Sequence, residues 1–302
     1  MEMSKPIGYV ATFVAGRGAA LNERAVSGAL YDAGLIDAGR DWLAPDLAVD
    51  AFLSGAGHDL ADLRARLQVA VADDPIDVIV QPTTGRRKKL LVADMDSTMI
   101  GQECVDELAD LVGLREHVAA ITERAMRGEV AFEGALRERV ALLAGVTLAQ
   151  IETLLTRITL TPGARQLVRT MRAHGAHTAL VSGGFTQFTE PVAERIGFDE
   201  TRANRLAIAE GALTGAVVAP ILGSEAKRAA LVELREARGL SQHMTLAIGD
   251  GANDLGMLRE AGLGVAFHAK PKVAQAADAR VDHADLTAAL YAQGYRREEF
   301  VE

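Results

Sequence analysis

Short hydrophobic runs and amphipathic patterns alternate through the first 85 residues of the chain. The strand-like runs are 8–14, 42–43, 47–53 and 76–80. Apolar residues recur at helical spacing after Asn22 and again between His58 and Ala72, which predicts a helix in each place. The predicted order, β-α-β-β-α-β, is that of a ferredoxin-like α+β arrangement. We therefore expect residues 1–85 to form a small accessory domain.

A basic segment with the sequence PTTGRRKK follows at residues 82–89. Four consecutive bases invite a nucleic-acid interpretation, but a single short run in an otherwise acidic chain is more often a solvated joint. We interpret it as the joint between the accessory domain and a second domain, residues 86–302.

After residue 89 the pattern changes to strands separated by helices. Short apolar strands are predicted at 90–93, 178–181 and 245–248, and each ends in a polar turn that contains glycine. This alternation is typical of a Rossmann-like α/β domain with a parallel sheet, in which ligands bind beyond the carboxyl ends of the strands. More than 80 residues separate the first two strands, and four helical patterns fill that interval. They predict a helical cap inserted at about 103–160.

Polar residues follow the first two of these strands. Asp94 and Asp96 come after the first strand and are separated by one residue, so their carboxylates lie on the same side of an extended chain. Ser182 and Gly183 come after the second strand, where a hydroxyl and glycine allow backbone N–H groups to approach an anion. Taken singly, each segment is equally well explained as an acidic or glycine-rich turn.

The third strand end completes a set of groups for phosphate chemistry. Asp250, Asn253 and Asp254 offer the oxygen ligands that Mg²⁺ prefers, and Lys227 stands upstream at the start of a predicted helix. Together the three strand ends supply a carboxylate nucleophile, a second carboxylate, an anion cradle, a cation and a metal site. Enzymes that transfer phosphoryl groups need this combination.

The composition limits the partners and the kinds of site that the chain can have. The chain has 302 residues, of which 49% are hydrophobic and 24% charged, as in a globular protein. Forty-one acidic and 32 basic residues give a formal charge of −9, and aromatic residues make up only 4%, so we expect no nucleic-acid partner. The one cysteine, Cys104, excludes an intrachain disulfide and a cysteine-based zinc site. No apolar run is long enough to span a membrane, and we expect a cytoplasmic protein without a membrane partner.

The order and spacing of these segments resemble the haloacid dehalogenase superfamily. Its four motifs are matched by residues 94–98, Ser182, Lys227 and residues 249–254. The resemblance runs from Leu90 to about the C-terminus. The N-terminal part resembles an ACT-type amino-acid-binding module in pattern only. This part could bind an amino-acid effector, form a homodimer or only support the second domain. The last two roles are favoured over the first.

Within that superfamily the sequence resembles the phosphoserine phosphatases, which catalyse the last step of serine biosynthesis. The resemblance rests on Glu103, nine residues after the first aspartate, on residues 125–128, and on Phe132 with Arg139. It implies that O-phosphoserine is the small-molecule substrate, that Glu103 binds its ammonium and Arg139 its carboxylate, and that Met126 and Phe132 line the pocket. Without the motifs, Glu103 would be an ordinary helix-start residue and Arg139 a base on a solvated face.

The resemblance also implies a mechanism. Asp94 attacks the phosphorus to give an aspartyl-phosphate, and Asp96 serves first as the acid and then as the base. Mg²⁺ is held by Asp94, Asp250 and the backbone carbonyl of Asp96. The phosphate is held by Lys227, Ser182 and Gly183, Asn253 helps to hold the phosphate or the water on the metal, and Asp254 orients Lys227 or the metal shell.

Two other functions are weighed against this one. An enzyme of the same fold that acts on another small phosphoester is the nearest, and the pairing of Glu103 with Arg139 argues against it. An amino-acid-sensing regulator with an inactive phosphatase domain is the alternative from another class, and the intact set of catalytic residues argues against that.

Overall fold

The computed structural model describes residues 8–53, 59–126 and 129–302. The N-terminal unit, defined here as residues 8–82, contains β1 (Tyr9–Ala15), α1 (Glu23–Asp32), β2 (Asp37–Ala44), β3 (Ala48–Leu53), α2 (Leu60–Ala70) and β4 (Ile76–Pro82). This confirms the predicted β-α-β-β-α-β order. The four strands form one antiparallel sheet in the order β2-β3-β1-β4. Strand β2 begins five residues before the predicted 42–43 run, because its first residues are partly exposed and carry no apolar pattern.

Strand β1 shows how the N-terminal sheet uses its two faces. Ala11 and Phe13 belong to an apolar core shared with Leu63 of α2, so the two helices cover this face. Val14 points the other way and belongs to the main core of the rest of the chain. The sheet is therefore covered on one face by its own helices and on the other by the C-terminal unit, defined here as residues 90–302.

The C-terminal unit is built on a second sheet of seven strands. Its elements are β5 (Leu90–Ala93), α3 (Cys104–Leu111), α4 (Arg115–Met126), α5 (Phe132–Ala141), α6 (Leu148–Leu155), α7 (Ala164–Ala173), β6 (His177–Phe185), α8 (Thr186–Ile196), β7 (Glu200–Ala209), β8 (Ala212–Val218), α9 (Ser224–Ala237), β9 (Thr245–Gly249), α10 (Leu255–Glu260), β10 (Leu263–Phe267), α11 (Pro271–Ala274), β11 (Ala279–Val281) and α12 (Ala288–Ala292). Three single 3₁₀ turns lie at Gln242–Met244, Ala252–Asp254 and Arg297–Glu299.

The strand order in this sheet is β11-β10-β9-β5-β6-β7-β8. All neighbouring pairs are parallel except β7 and β8, which form an antiparallel hairpin at one edge. Strand β5 lies between β6 and β9 and is buried over its whole length, which explains its uninterrupted apolar sequence. The four helices α3 to α6 lie between β5 and β6 in the chain, as predicted for the cap. Within the described residues, no helix is both long and apolar enough to cross a membrane.

The prediction that the basic segment at 82–89 is solvated is wrong for two of its bases. The Arg86 side chain is 12% exposed and donates to both carboxylate oxygens of Asp50, at 2.7 and 2.9 Å. Lys88 is buried and donates from Nζ to the carbonyls of Gly85 and His243, at 3.0 and 2.9 Å. Burial lowers the pKa of Lys88 to about 8. The segment runs between the two units and is held by partners far away in sequence.

A second contact fastens the N-terminal unit to the chain that follows β11. Asp77 of β4 is 4% exposed, and its carboxylate accepts hydrogen bonds from the backbone N–H groups of Asp282, His283 and Ala284 at 2.8, 3.1 and 2.8 Å. We call these contacts, together with the Asp50–Arg86 pair, the joint. The two units thus meet through buried polar groups as well as through apolar packing.

Candidate active site

The three chemically interesting strand ends lie side by side. Strands β9, β5 and β6 are neighbours in the sheet and parallel, so their carboxyl ends open at the same edge. Asp94 and Asp96 follow β5, Asp250 follows β9, and Ser182 lies near the end of β6. The sheet therefore gathers residues that are more than 150 positions apart in sequence.

Asp94 and Lys227 form the buried centre of the site. Lys227 donates from Nζ to Asp94 Oδ1 at 2.6 Å and to Asp254 Oδ1 at 2.7 Å, and all three side chains are buried. Asp94 Oδ1 also accepts the N–H of Met95 at 2.8 Å. These contacts fix the Asp94 carboxylate and leave its Oδ2 without a hydrogen bond to any described residue. That oxygen is therefore free to contact a ligand in the cavity that Asp94 lines.

Two glycines shape the loop that brings Asp254 to the lysine. A Cβ on Gly249 would lie 2.4 Å from Asp254 Cγ, and a Cβ on Gly251 would lie 2.2 Å from Asn253 Oδ1. The N–H of Gly251 donates to Asp254 Oδ2 at 3.0 Å. Any larger residue at either position would displace the acidic and amide side chains. The glycines of the 249–254 segment are thus explained by close approach.

Three carboxylates in the described part of the chain are close enough to share a cation. One oxygen each from Asp94, Asp250 and Asp254 lies within 4.8 Å of the others. Burial and the charge of Asp254 raise the pKa of Asp94 well above its ordinary value, despite Lys227, and raise that of Asp250 to about 6. One lysine against three carboxylates leaves negative charge uncompensated. Oxygen donors with excess negative charge fit a hard divalent cation.

This cluster contains two of the predicted metal ligands, Asp94 and Asp250, together with Asp254, which is predicted to orient Lys227 or the metal shell. The third predicted ligand is the backbone carbonyl of Asp96, and the cluster is made of carboxylate oxygens alone. The turn at Ala252–Asp254 folds Asp254 back under the end of β9.

Asp96 occupies a separate environment at the start of α3. Its Oδ1 accepts the N–H of Cys104, the first residue of the helix, at 3.2 Å. Burial, together with the nearby charge of Glu103, raises the pKa of Asp96 to about 7. A carboxyl group that titrates near neutrality can both give and take a proton at neutral pH. Cys104 itself is buried, as expected for a small apolar residue, and burial raises its pKa.

The carboxyl-terminal part of β6, which continues through the turn predicted at Ser182–Phe185, carries Ser182, Gly183 and Gly184 beside the aspartates. Ser182 is buried, and its Oγ accepts the N–H of Gly184 at 2.9 Å. A Cβ on Gly184 would lie 3.1 Å from both Asp96 Oδ2 and Ser182 Oγ, so a side chain there would press on both groups. A Cβ on Gly183 would lie 3.7 Å from Phe132 Cζ of the cap. The cap therefore reaches the predicted anion cradle through Phe132.

Cap and sheet enclose a cavity of about 470 Å³. The predicted site residues that line it are Asp94, Asp96, Asp250, Ser182, Gly183, Asn253, Glu103, Phe132 and Arg139. Lys227 and Asp254 lie directly beneath them, bonded to Asp94 or to each other. The side chain of Met126, also predicted to line the pocket, lies outside the described residues.

Arg139 enters the cavity while its neighbours do not. It is half-buried, whereas Arg137 and Glu138 are exposed, so it is not a base on a solvated face. Burial lowers its pKa, and the charges of Asp106 and Glu103 oppose that effect. Glu103 is exposed and precedes α3, and its Oε1 accepts the hydroxyl of Ser97 at 2.7 Å. The cap thus presents Glu103 and Arg139, which carry opposite charges, to the same cavity.

Three further polar residues that line the cavity, Asp106, Thr122 and Lys270, were not among the predicted site residues. Asp106 lies one helical turn after Glu103, a spacing that places both on one face of α3 and could have revealed it. No sequence spacing links Thr122 or Lys270 to the other site residues. Thr122 reaches the cavity from α4, and Lys270 is the residue before α11.

Comparisons with known proteins agree with this geometry. Residues 91–259 match the family model described as haloacid dehalogenase-like hydrolase. A phosphoserine phosphatase of Archaeoglobus fulgidus is 39% identical over 242 residues, which cover 80% of this chain and 70% of the relative. Another, of Albidiferax ferrireducens, is 49% identical over 204 residues, covering 66% of this chain and 86% of the relative. A crystal structure of a probable phosphoserine phosphatase from Vibrio cholerae, in unliganded form, has a TM-score of 0.76 at 32% identity and covers 95% of this chain and 88% of that one.

The family model spans more than half of the chain, and the relatives exceed 30% identity over most of their own length. The chain belongs to the haloacid dehalogenase-like hydrolases and, within them, to the phosphoserine phosphatase family.

Proposed function

We propose that this protein is a metal-dependent phosphoserine phosphatase that hydrolyses O-phospho-L-serine to L-serine and phosphate. The observation that carries the proposal is the sharing of one cavity by two sets of groups. The sheet edge offers Asp94, Asp96 and Ser182 for a phosphate, and the cap offers Glu103 and Arg139 for an amino acid. A substrate with a phosphate at one end and an ammonium and a carboxylate at the other suits both sets.

In the first half of the reaction Asp94 is the nucleophile. Its Oδ2 attacks the phosphorus, the bond from phosphorus to the serine oxygen breaks, and an aspartyl-phosphate forms. Asp96 donates a proton to the departing serine oxygen. The raised pKa of Asp96, about 7, supports this role because a protonated fraction persists at neutral pH.

In the second half water takes the place of serine. Asp96, now ionised, accepts a proton from the water as its oxygen attacks the phosphorus, and the bond to Asp94 breaks. Phosphate leaves and Asp94 is regenerated as a carboxylate. Lys227, Ser182 and Asn253 hold the phosphate oxygens, while the backbone around Gly183 leaves room for them.

Mg²⁺ is the proposed metal, since carboxylate oxygens and a phosphate are its usual ligands in proteins. Asp94, Asp250 and the backbone carbonyl of Asp96 would hold it, and Asp254 is close enough to join them. When bound, the ion offsets the repulsion between the carboxylates and the phosphate. A cytoplasmic location, an amino-acid effector and a homodimer stay predictions of the sequence.

The test is phosphate release from a panel of phosphoesters: O-phospho-L-serine, O-phosphohomoserine, a sugar phosphate and p-nitrophenyl phosphate. We expect the highest kcat/KM with phosphoserine, by about tenfold or more, and loss of activity in a chelator that added Mg²⁺ restores. A higher kcat/KM for the sugar phosphate would reject the substrate. The absence of release from every ester would support the inactive regulator instead.

A further inference from the structure

Arg139 is held in the cavity by a hydrogen bond from another cap helix. Its Nη1 donates to Thr122 Oγ1 of α4 at 3.2 Å, and its Nε donates to the carbonyl of Ala135, one turn earlier on α5, at 3.3 Å. Thr122 lines the same cavity and is half-buried. The guanidinium is therefore bonded at two points to two different helices.

The direction of the contact is fixed by the hydroxyl itself. Thr122 has one O–H, which donates to the carbonyl of Val118 at 3.0 Å. Its lone pairs are thus free to accept, and the guanidinium, which can only donate, is a matching partner. The chain of contacts runs from the Val118 carbonyl through Thr122 to Arg139.

These bonds leave part of the guanidinium without a described partner. Of its five N–H groups, two donate to Thr122 and Ala135, and the other three, including both on Nη2, donate to no described residue. Arg139 forms no ion pair with a carboxylate in the described part of the chain, although Asp106 and Glu103 line the same cavity. The N–H groups of Nη2 and the second one of Nη1 can therefore donate to a substrate carboxylate.

We propose that Thr122 is a positioning residue that sets the orientation of Arg139 for the substrate carboxylate. This inference rests on the proposed function, because it gives Thr122 a role only for substrates that carry a carboxylate. Without the hydroxyl the arginine keeps its charge but loses the contact that ties it to α4. Its side chain then samples several orientations, and the cost falls on binding of the carboxylate end rather than on chemistry at phosphorus.

The experiment compares Thr122→Val, which keeps the shape and removes the hydroxyl, with Thr122→Ser, which keeps the hydroxyl. For Thr122→Val we expect KM for O-phosphoserine to rise about tenfold with little change in kcat, and the kinetics of p-nitrophenyl phosphate to stay within about twofold of wild type. Thr122→Ser should restore most of the loss.

Thr153 provides a matched control. Its hydroxyl also donates to a carbonyl four residues earlier, that of Ala149 at 2.9 Å, in the cap helix α6, but it does not line the cavity. Thr153→Val should therefore leave both substrates unaffected. Thermal unfolding of all three variants checks that the cap is folded.

The outcomes separate the two proposals. If wild type hydrolyses phosphoserine and Thr122→Val matches it, the positioning role is wrong and the proposed function stands. Equal losses on both substrates, or a loss in kcat alone, would likewise contradict the positioning role. If wild type does not prefer phosphoserine, the proposed function itself fails.

Discussion

Asp77 at the joint and Asp94 in the cavity are both buried carboxylates, 4% and 5% exposed, with very different partners. Asp77 accepts three backbone N–H groups and has no second carboxylate among its contacts. Asp94 shares Lys227 with Asp254, and the repulsion from Asp254 adds to the effect of burial on its pKa. Burial raises the pKa of Asp77 as well, but its hydrogen-bond partners are all donors, whereas Asp94 lies beside a second carboxylate.

The same contrast holds for the surrounding groups. At the joint, Asp50 and Arg86 form a bidentate pair in which each charge has its opposite. In the cavity, the lining carboxylates outnumber the lining cations, which are Arg139 and Lys270. A joint that only has to hold two units together can satisfy every buried group. A site that has to bind a cation and a phosphate keeps part of its charge uncompensated at a cost in stability.

The sharpest test of this contrast is Asp94→Asn. Asparagine keeps an oxygen for Lys227 but cannot act as the nucleophile, so we expect kcat to fall by about 10⁴-fold or more. Because one of the crowded charges is removed, the free energy of unfolding in a chelator should equal or exceed that of wild type. Phosphate release and urea unfolding measure the two quantities. Wild-type turnover would end the assignment of the nucleophile, and a clear loss of stability would contradict the crowding of charges.

The next largest effect is expected from Arg139→Ala. Removing the guanidinium should lower kcat/KM for O-phosphoserine by about 10²-fold and leave p-nitrophenyl phosphate within about threefold, since only phosphoserine carries a carboxylate. Arg137→Ala is the control, because Arg137 belongs to the same helix and is exposed. Steady-state kinetics on both esters provide the comparison. Equal losses on the two substrates would refute the carboxylate role.

At the joint, Asp77→Asn should lower the free energy of unfolding and leave turnover unchanged, which is the reverse of what we expect for Asp94→Asn. An amide has one acceptor oxygen, and its NH₂ group would face at least one of the three backbone N–H donors, so we expect a loss of about 2 kcal/mol in the free energy of unfolding. Turnover at 25 °C should stay close to wild type. Asp73→Asn, at an exposed position four residues earlier, is the control. An unchanged urea midpoint would show that the three contacts at Asp77 add nothing to stability.

Features that depend on a short stretch of neighbouring residues could be predicted from the sequence, and features that depend on distant residues could not. Strand β5 was predicted residue for residue at 90–93, because a strand buried on both faces is a continuous apolar run. A helical cap at about 103–160 was predicted from four periodic patterns, and α3 to α6 lie in that interval. The polar groups after β5, β6 and β9 could be assigned to one edge because parallel strands end together.

The contacts around the joint could not be predicted because they join residues that are far apart in sequence. Arg86 is held by Asp50, 36 positions earlier, and Lys88 by the carbonyl of His243, 155 positions later. The sequence of the basic segment does not show which of its side chains contact the protein and which face solvent. The contribution of Thr122 to the cavity could not be predicted for a related reason, since it depends on how α4 is oriented within the fold.

Lys270 gives the smallest and most specific test of the cavity's charge. It lies at the cavity, its side chain is exposed, and it forms no ion pair with a described residue. Phosphoserine carries a net negative charge at neutral pH, so an unpaired cation beside an acidic cavity should help to attract it. We expect Lys270→Gln to lower kcat/KM for phosphoserine about threefold at low ionic strength.

That loss should shrink as salt is added, since about 0.5 M salt screens charges beyond a few ångströms. Lys272→Gln is the matched control, because Lys272 is also exposed and lies two residues away but does not line the cavity. Measuring kcat/KM for both variants across a series of salt concentrations separates a local role from the effect of total charge. Parallel losses in the two variants would mean that only net charge matters, and a loss independent of salt would indicate that Lys270 touches the substrate directly.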